Sequence, residues 1–383
     1  MWWLRKATSR DGQVKYTGSD FRARQESRIF RKRLLLFVTI ISLLVQPQSS
    51  ISSEAAEEGD KPLFYHDLKY GSESQFNPLS NFLNYGLDTL QVRQSFDDSQ
   101  FGDQLRRTVD DLINPIRAIN NSGGLGRFVN RQILPVDFNH LDESIEMIPN
   151  YALHLLGGGM VYRKNVEWLQ AHGYGYPRLL AVLQGMSAEF LQEVIEKKST
   201  KQDDAVADFY LFRPAGMFLF SWEPFARFAA EELRLVEWPY QPLFSAAKGR
   251  FVNVGETFIL RPNFLGTEKH NVFIYLGLTN LLGGSHTLGA TDSISWGFGP
   301  AVTKVERDYL RMRISCGIFY DRNSSVLASL LVNGTEDLLL RLNIYPGTFV
   351  QQPWFPGIYL GVGDKNEITL GLTFMKLPFG LSN

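Results

Sequence analysis

Apolar residues alternate with small or polar residues along the stretch that follows Arg250, and this alternation limits the fold more than any other feature. Ile294, Trp296 and Phe298, for example, are separated by a serine and a glycine. A period of two residues indicates β-strands with one apolar face. The number of such segments predicts about eight strands, joined by hairpin signals such as Asn333-Gly334.

Two folds agree with this alternation, and the sequence leaves both open. In an outer-membrane barrel the apolar face meets lipid and small residues fill the interior. In a soluble antiparallel barrel or sandwich the apolar face is the core. An aromatic content of 13 % and the single cysteine, Cys316, favour the membrane, whereas the chain end at Asn383 lacks the aromatic residue usual in outer-membrane proteins. The Gly-rich piece that contains His286 is interpreted as a loop.

The N-terminal region has the parts of a secretory signal. A basic segment ends at Arg31-Lys32-Arg33, an apolar run follows from Leu34 to Val45, and small residues come next. Such a run is too short to span a bilayer and is typical of an exported protein. We predict a signal peptide with a long basic n-region at residues 1–52 and a linker at 53–61, with an uncleaved anchor as the alternative. Export places the protein in the cell envelope, in the outer membrane or the periplasm.

Upstream of Trp238-Pro239 the apolar residues recur at helical spacing, so the chain divides near this point,. We predict a helical domain at residues 62–236 and an antiparallel β region at residues 237–383. The expected fold class is α+β, in which an apolar helical bundle is followed by an antiparallel β-barrel-like region of about eight strands.

One predicted helix, from Asn150 to Ala171, is apolar or glycine over its first part except at His154. A helix that is apolar all round is buried in protein or in lipid. The glycines from Gly157 to Gly159 each lower helix stability by about 1 kcal/mol relative to alanine. Close approach of a neighbouring helix explains such a run, and so does a ligand against the backbone. His154 shares a face with Gly158 and is either a core histidine bonded to a carbonyl or a functional residue.

The helix that begins after Pro177 carries two glutamates on one face. Glu189 and Glu193 are neighbours there because residues four apart lie next to each other on a helix. The main apolar arc of this helix, which includes Leu183, lies on a different side. Helical-wheel reasoning therefore predicts that the two glutamates face water.

Two aspartates mark the start of the following helix. Asp204 belongs to its first turn, where the helix dipole favours a carboxylate. Asp208 comes four residues later and adjoins an apolar run. A carboxylate in such surroundings needs a partner, for which Arg213 or His154 is suitable.

The order of these residues resembles a family of uncharacterised bacterial cell-envelope proteins. The matching residues, over about residues 145–260, are His154 with Gly158, Glu189 with Glu193, Asp204 with Asp208, and Pro214 with Gly216. The resemblance implies that these polar side chains lie on neighbouring apolar helices and face one another. It implies a site and names no reaction.

Two functions fit a site made of His154, Glu189, Glu193, Asp204 and Asp208. One is an envelope hydrolase or transferase for a lipid or acyl substrate, in which these residues do acid/base chemistry or bind a metal. The other is a structural or binding protein of the envelope, which we favour because no established catalytic motif is present. The expected partner is membrane lipid or another envelope component. A net charge of −1 without a basic domain argues against nucleic acid,. The sequence indicates neither a cofactor nor an oligomeric state.

Overall fold

The computed structural model describes residues 62–92, 101–135, 147–196, 203–305, 310–336, 338–364 and 367–383. The predicted signal peptide and linker, residues 1–61, lie outside these ranges. The described residues of 62–92 and of 103–383 belong to one compact unit. Helices occupy its first part and strands its second, as the change of hydrophobic period predicts.

The helices begin and end at residues that suit their positions. Asn77, for example, caps the first α-helix by accepting hydrogen bonds from the Leu79 and Ser80 backbone N–H groups,. The α-helices are α1 (Pro78–Gly86), α2 (Phe101–Ile113), α3 (Pro115–Asn121), α4 (Leu125–Phe128), α5 (Met147–Pro149), α6 (Gly158–Ala171), α7 (Pro177–Glu196), α8 (Asp204–Ala207), α9 (Arg213–Ser221) and α10 (Glu223–Arg227). Short 3₁₀ helices span Ser72–Gln75, Asp88–Val92 and Asn263–Leu265, and π-helical segments span Val129–Ile133, Asn150–Gly157, Asp208–Phe212 and Phe228–Glu232. None of the described helices combines the length and the apolar character needed to cross a bilayer.

The strands form a single sheet. They are β1 (Val236–Glu237), β2 (Leu243–Ser245), β3 (Arg250–Val252), β4 (Phe258–Leu260), β5 (His270–Leu276), β6 (Leu281–Thr287), β7 (Asp292–Val305), β8 (Leu310–Arg322), β9 (Ser325–Val332), β10 (Leu338–Ile344), β11 (Gly357–Gly363), β12 (Ile368–Thr373) and β13 (Gly380–Ser382). Their order is β1-β4-β5-β6-β7-β8-β9-β10-β11-β12-β13-β2-β3, and the end strands β1 and β3 are not paired with each other. Neighbours are antiparallel except β13 and β2.

The α+β class is confirmed, and the described residues form thirteen strands where about eight are predicted. The difference comes mainly from strands of two or three residues, such as β1 and β13, which are too short to show a period of two,. The Gly-rich piece that contains His286 is also a strand, β6, and not a loop. A Cβ at Gly283 would lie 1.9 Å from the Trp296 carbonyl oxygen, so glycine here allows close strand packing,.

The sheet buries the face that holds most of its polar side chains and an aromatic cluster, and it exposes the face of the alternating apolar residues. On the buried side, Trp238, Phe273 and Phe319 pack in one aromatic cluster. The Ser295 hydroxyl donates to the Ser285 hydroxyl at 2.9 Å on the same side. The opposite side carries the alternating apolar residues of the sequence, and many of these are exposed.

The three consecutive glycines lie where the backbone of one helix approaches other parts of the chain. A Cβ at Gly157 would meet the Phe258 ring, and one at Gly159 would lie 2.6 Å from the Gly216 carbonyl oxygen in α9. A Cβ at Gly158 would be 2.2 Å from Arg213 Nη1. The predicted close approach of a neighbouring helix therefore explains Gly158 and Gly159, whereas Gly157 leaves room for Phe258 of β4. This approach brings α6 and α9 together beside the candidate site.

Candidate functional site

Two of the candidate residues lie on π-helical segments. His154 belongs to the segment Asn150–Gly157, which leads directly into α6, and Asp208 begins the segment Asp208–Phe212 between α8 and α9. π-Helical turns are rare, and they occur frequently at functional sites because the extra residue changes the direction of the side chains. Glu189 lies on the regular helix α7.

His154 lies between two carboxylates. Its Nδ1 atom is 3.2 Å from Glu189 Oε1, and its Nε2 atom is 3.8 Å from Asp208 Oδ2. All three side chains are buried. In such surroundings charge interactions are stronger than in water. The three residues therefore form one cluster, and His154 is not a core histidine bonded to a lone carbonyl.

Tyr85 and Arg213 complete this cluster. The Tyr85 hydroxyl donates to Glu189 Oε2 and lies 3.0 Å from His154 Nδ1. The Arg213 guanidinium lies 4.3 Å from the centre of the Tyr85 ring, and its Nε is 4.0 Å from Glu189 Oε2. The sequence names Arg213 only as a partner for Asp208 and does not indicate Tyr85, since a tyrosine in an apolar helix resembles any other core residue.

Burial and neighbouring charges shift the pKa values of the cluster in different directions. Burial lowers the pKa of His154, but the charge and hydrogen bond of Glu189 outweigh it and raise the pKa above its ordinary value. Burial raises the pKa of Glu189, but the charge and hydrogen bond of His154 together with the Arg213 charge and the Tyr85 hydrogen bond outweigh it and lower the pKa. Burial, followed by the negative charges of Asp204 and Glu193, raises the pKa of Asp208 well above its usual range. These shifts favour an imidazolium–carboxylate pair of His154 and Glu189 and make loss of the Asp208 proton harder,.

Glu193 and Asp204 lie at the edge of the cluster. Both act on Asp208 through their charges. The half-buried Asp204 also accepts a hydrogen bond from Gln132 Nε2 at 3.1 Å. The structure thus brings His154, Glu189 and Asp208 together, while the other two candidate residues contribute negative charge near them.

The prediction that Glu189 and Glu193 face water is wrong. Their side chains are 0 % and 3 % exposed, whereas Leu183, in the supposed core-facing arc, is 55 % exposed. Helix α7 packs this polar face against α1 and the π-helical segment of Asp208. Helical-wheel reasoning fails because it assumes that the apolar side of a helix is the buried side.

A second buried ionic cluster joins the helices to the sheet. Lys164 Nζ of α6 lies 2.6 Å from Glu73 Oε1 and 3.1 Å from Glu237 Oε2 of β1. The Asn81 side chain of α1 donates to both Glu237 and Glu256. These residues come from separate segments with no recognisable spacing, so the sequence gives no signal for them.

The chemistry available at the first cluster is that of an imidazole and two carboxylates. Such groups transfer protons when a substrate reaches them, and they are also ligands for divalent metal ions. His154, Glu189 and Asp208 each offer one ligand atom, and these atoms lie within 4.8 Å of one another. Because the side chains are buried, ion binding or a structural role fits this geometry better than contact with a large substrate.

Comparisons with protein-family models, with curated proteins and with solved structures give no match for this chain. The candidate site therefore rests on the geometry described above.

Proposed function

We propose that this chain is an exported cell-envelope protein of the outer membrane whose sheet faces lipid and whose buried polar cluster has a binding role. The observation that carries the proposal is the polarity of the sheet. Its exposed face is apolar and its buried face holds most of its polar side chains. A sheet with one side in water has the reverse arrangement.

Exposed and half-buried apolar side chains form continuous rows on the outer face of the sheet. One row follows the register through Trp296, Ile318, Leu330, Leu342, Leu360 and Leu370. A second row contains Phe298, Cys316, Val332, Leu340, Val362 and Ile368. Neither row contains a charged residue. Strands lie about 4.8 Å apart, so six strands make a surface about 25 Å wide.

A surface of this size is unusual on a protein that lies in water. Exposed apolar patches beyond a few hundred Å² mark contacts with membranes or other proteins. Two further features support lipid as the partner. Strands β7 and β8 have 14 and 13 residues, which exceeds the roughly 9–11 residues that a tilted strand needs to cross a bilayer,. The buried Ser, Thr and Asn side chains resemble the polar interior of membrane-embedded sheets.

The resemblance to uncharacterised envelope proteins and the predicted signal peptide agree with this proposal. The alternative, a hydrolase or transferase for an acyl substrate, requires a path from lipid or water to His154. His154, Glu189 and Asp208 are all buried. We therefore assign the cluster a binding role and leave acid/base catalysis as the less supported function.

A charged substitution within the rows tests the lipid contact. We expect Ile318→Arg to make the free energy of membrane insertion less favourable by about 2–4 kcal/mol, because a charged arginine side chain is destabilising at the centre of a bilayer. Leu288→Arg is the matched control, since Leu288 is similarly exposed but lies in the turn between β6 and β7. The measurement is flotation of the purified chain with vesicles of phosphatidylethanolamine and phosphatidylglycerol.

Fluorescence adds a direct readout of depth. Brominated acyl chains should quench the emission of Trp296, and Trp296→Phe should remove more of the quenching than Trp354→Phe, which changes a loop residue. The proposal is wrong if Ile318→Arg and Leu288→Arg float equally well and brominated lipid leaves the Trp296 emission unchanged.

A further inference from the structure

We propose that His154, Glu189 and Asp208 form a binding site for a divalent transition-metal ion such as Zn²⁺ or Mn²⁺. This inference does not depend on the lipid contact of the sheet, because the site is built from α7 and the π-helical segments. It rests on the binding role proposed for the cluster, so a failure to bind metal would leave the lipid contact of the sheet standing.

The ligand set is suited to such an ion. An imidazole nitrogen with two carboxylate oxygens binds metals of intermediate softness, whereas Mg²⁺ and Ca²⁺ prefer oxygen ligands alone. The carboxylates come from two different elements, and Glu189 lies beside Nδ1 of His154 while Asp208 lies beside Nε2. One imidazole nitrogen binds the ion, and the two carboxylates supply the oxygen ligands. No cysteine is needed, and the single cysteine of the chain lies in β8.

The distances fit an ion after a small adjustment. Zinc binds nitrogen and oxygen ligands at about 2.0–2.2 Å, so two ligands of one ion are at most about 4.3 Å apart. His154 Nε2 and Asp208 Oδ2 are 3.8 Å apart, which is long for a hydrogen bond but within this limit,. The three ligand atoms lie within 4.8 Å of one another, so the widest pair has to approach by at most about 0.5 Å for all three to bind one ion,.

An unpartnered buried atom points independently to a ligand. Asp208 Oδ1 accepts no hydrogen bond from any described residue, although the Asp208 side chain is 3 % exposed. A buried polar atom without a partner costs about 1–3 kcal/mol, and more when it is charged. Asp208 also lies in the field of the negative charges of Asp204, Glu193 and Glu189. A cation bound to Asp208 would give Oδ1 a partner and would offset the surrounding negative charge.

Neighbouring side chains are placed to orient the ligands. The Tyr85 hydroxyl bonds the Glu189 carboxylate, and Glu189 in turn contacts His154 Nδ1. Outer partners such as Tyr85 fix the orientation of a ligand, and here the hydrogen bond of Tyr85 holds the Glu189 carboxylate beside the imidazole,. Because Gly158 has no Cβ, Arg213 can approach this layer closely.

Metal binding by the full chain in detergent tests the site. The probes are Zn²⁺, Mn²⁺ and Mg²⁺, each added alone to protein that a chelator has stripped of metal. We expect one Zn²⁺ or Mn²⁺ ion per chain and a higher thermal midpoint, with no response to Mg²⁺. His154→Gln and Asp208→Asn should each weaken the affinity by about tenfold or more.

Asp88→Asn is the matched control, because Asp88 is also a buried aspartate but lies outside the ligand set. It should bind the ion as tightly as the unchanged protein. If Asp208 had only a structural role, Asp208→Asn and Asp88→Asn would bind the metal with the same affinity. His270→Ala removes the exposed pair His270/His286, whose Nδ1 atoms are 3.3 Å apart, as a source of weak surface binding.

One measurement needs no variant. Co²⁺ bound to the unchanged chain should give visible absorption bands of nitrogen and oxygen coordination, and Zn²⁺ should displace it. The proposal is wrong if Co²⁺ gives no bands, if Mg²⁺ binds and Zn²⁺ and Mn²⁺ do not, or if Asp208→Asn binds as tightly as Asp88→Asn.

Discussion

Asp88 shows how a single buried carboxylate links stability to pH in this protein. Its Oδ1 atom accepts hydrogen bonds from Gln91 Nε2 at 2.7 Å and from the Glu256 backbone N–H at 3.1 Å. Burial nevertheless dominates and raises the pKa of Asp88 to about 7. The folded state therefore binds the proton more tightly than the unfolded chain, in which the pKa of an aspartate is about 3.9.

The first prediction concerns the pH dependence that follows. Between pH ~4 and ~7 the folded state holds more protons, so the free energy of unfolding falls as pH rises, by up to about 1.4 kcal/mol per pH unit, and levels off above this window. Asp88→Asn keeps an accepting Oδ1 and removes the titration. In denaturant unfolding, the free energy of unfolding of Asp88→Asn relative to that of the unchanged chain should increase as the pH rises from ~4 to ~7. A difference that does not vary with pH would contradict the assignment.

The second prediction concerns the ion pair of Glu189. In metal-free protein, Glu189→Gln should lower the free energy of unfolding by about 3–5 kcal/mol, because it removes the negative charge that faces both the buried Arg213 and Nδ1 of His154,. Glu232→Gln, which changes an exposed residue, should stay within about 0.5 kcal/mol,. Denaturant titration of the two variants at one pH makes the comparison. Equal losses would mean that the cluster contributes no more than a surface charge.

At the scale of elements, the contact between α6 and α9 depends on glycine. The third prediction is that Gly159→Ala destabilises the protein by about 1–3 kcal/mol, because the Gly216 carbonyl and the Phe220 ring leave no room for a Cβ,. Gly126→Ala in α4 is the control. A Cβ there meets nothing within 4 Å, so helix propensity should make it neutral or stabilising by up to about 1 kcal/mol,. The measurement is the thermal unfolding midpoint of each variant, which should be lower for Gly159→Ala than for Gly126→Ala.

The sequence predicts the existence of the main helices and the site better than their orientation. The span from Asn150 to Ala171, its buried histidine and the reason for its glycines follow from composition and spacing. The π-helical turn cannot be predicted from composition and spacing, because its extra residue is stabilised by tertiary contacts and leaves no local signal in the sequence. The burial of Glu189 and Glu193 also depends on which neighbours α7 meets, and a helical wheel contains no such information.

The same limit applies to the sheet. Alternation locates β7, β8, β10 and β12, since long strands with one apolar face have a clear period. It cannot tell whether that face points inward or outward, and this choice separates a soluble sheet from one that meets lipid. The shortest strands, such as β1, have too few residues for any period.

At the scale of the whole molecule, polar contacts join the helical part to the sheet. The Glu73 backbone N–H, in the first 3₁₀ helix, donates to the Ser325 hydroxyl of β9 at 3.1 Å. Lys164 of α6 pairs with Glu237 of β1. These buried contacts make it unfavourable for one part to unfold while the other remains intact.

The fourth prediction is therefore a single unfolding transition. Far-UV circular dichroism, which follows the helices, and near-UV circular dichroism, which follows the aromatic cluster around Trp238, should give the same midpoint. Lys164→Met leaves Glu237 unpaired and should shift both midpoints together. Two separated transitions in the unchanged protein would show that the helices and the sheet are independent.

The π-helical segment before α6 has a consequence for how easily the site could be lost or gained. A π-helical turn has one residue more than the α-helical turn that it replaces. Deleting a single residue from this turn would convert it to a regular α-helical turn. The residues on either side would keep nearly the same direction around the helix axis, because a π-helical turn distributes one more residue over the same rotation. The side chains inside the segment, which include His154, would change direction, so the position of the imidazole between Glu189 and Asp208 depends on this one extra residue.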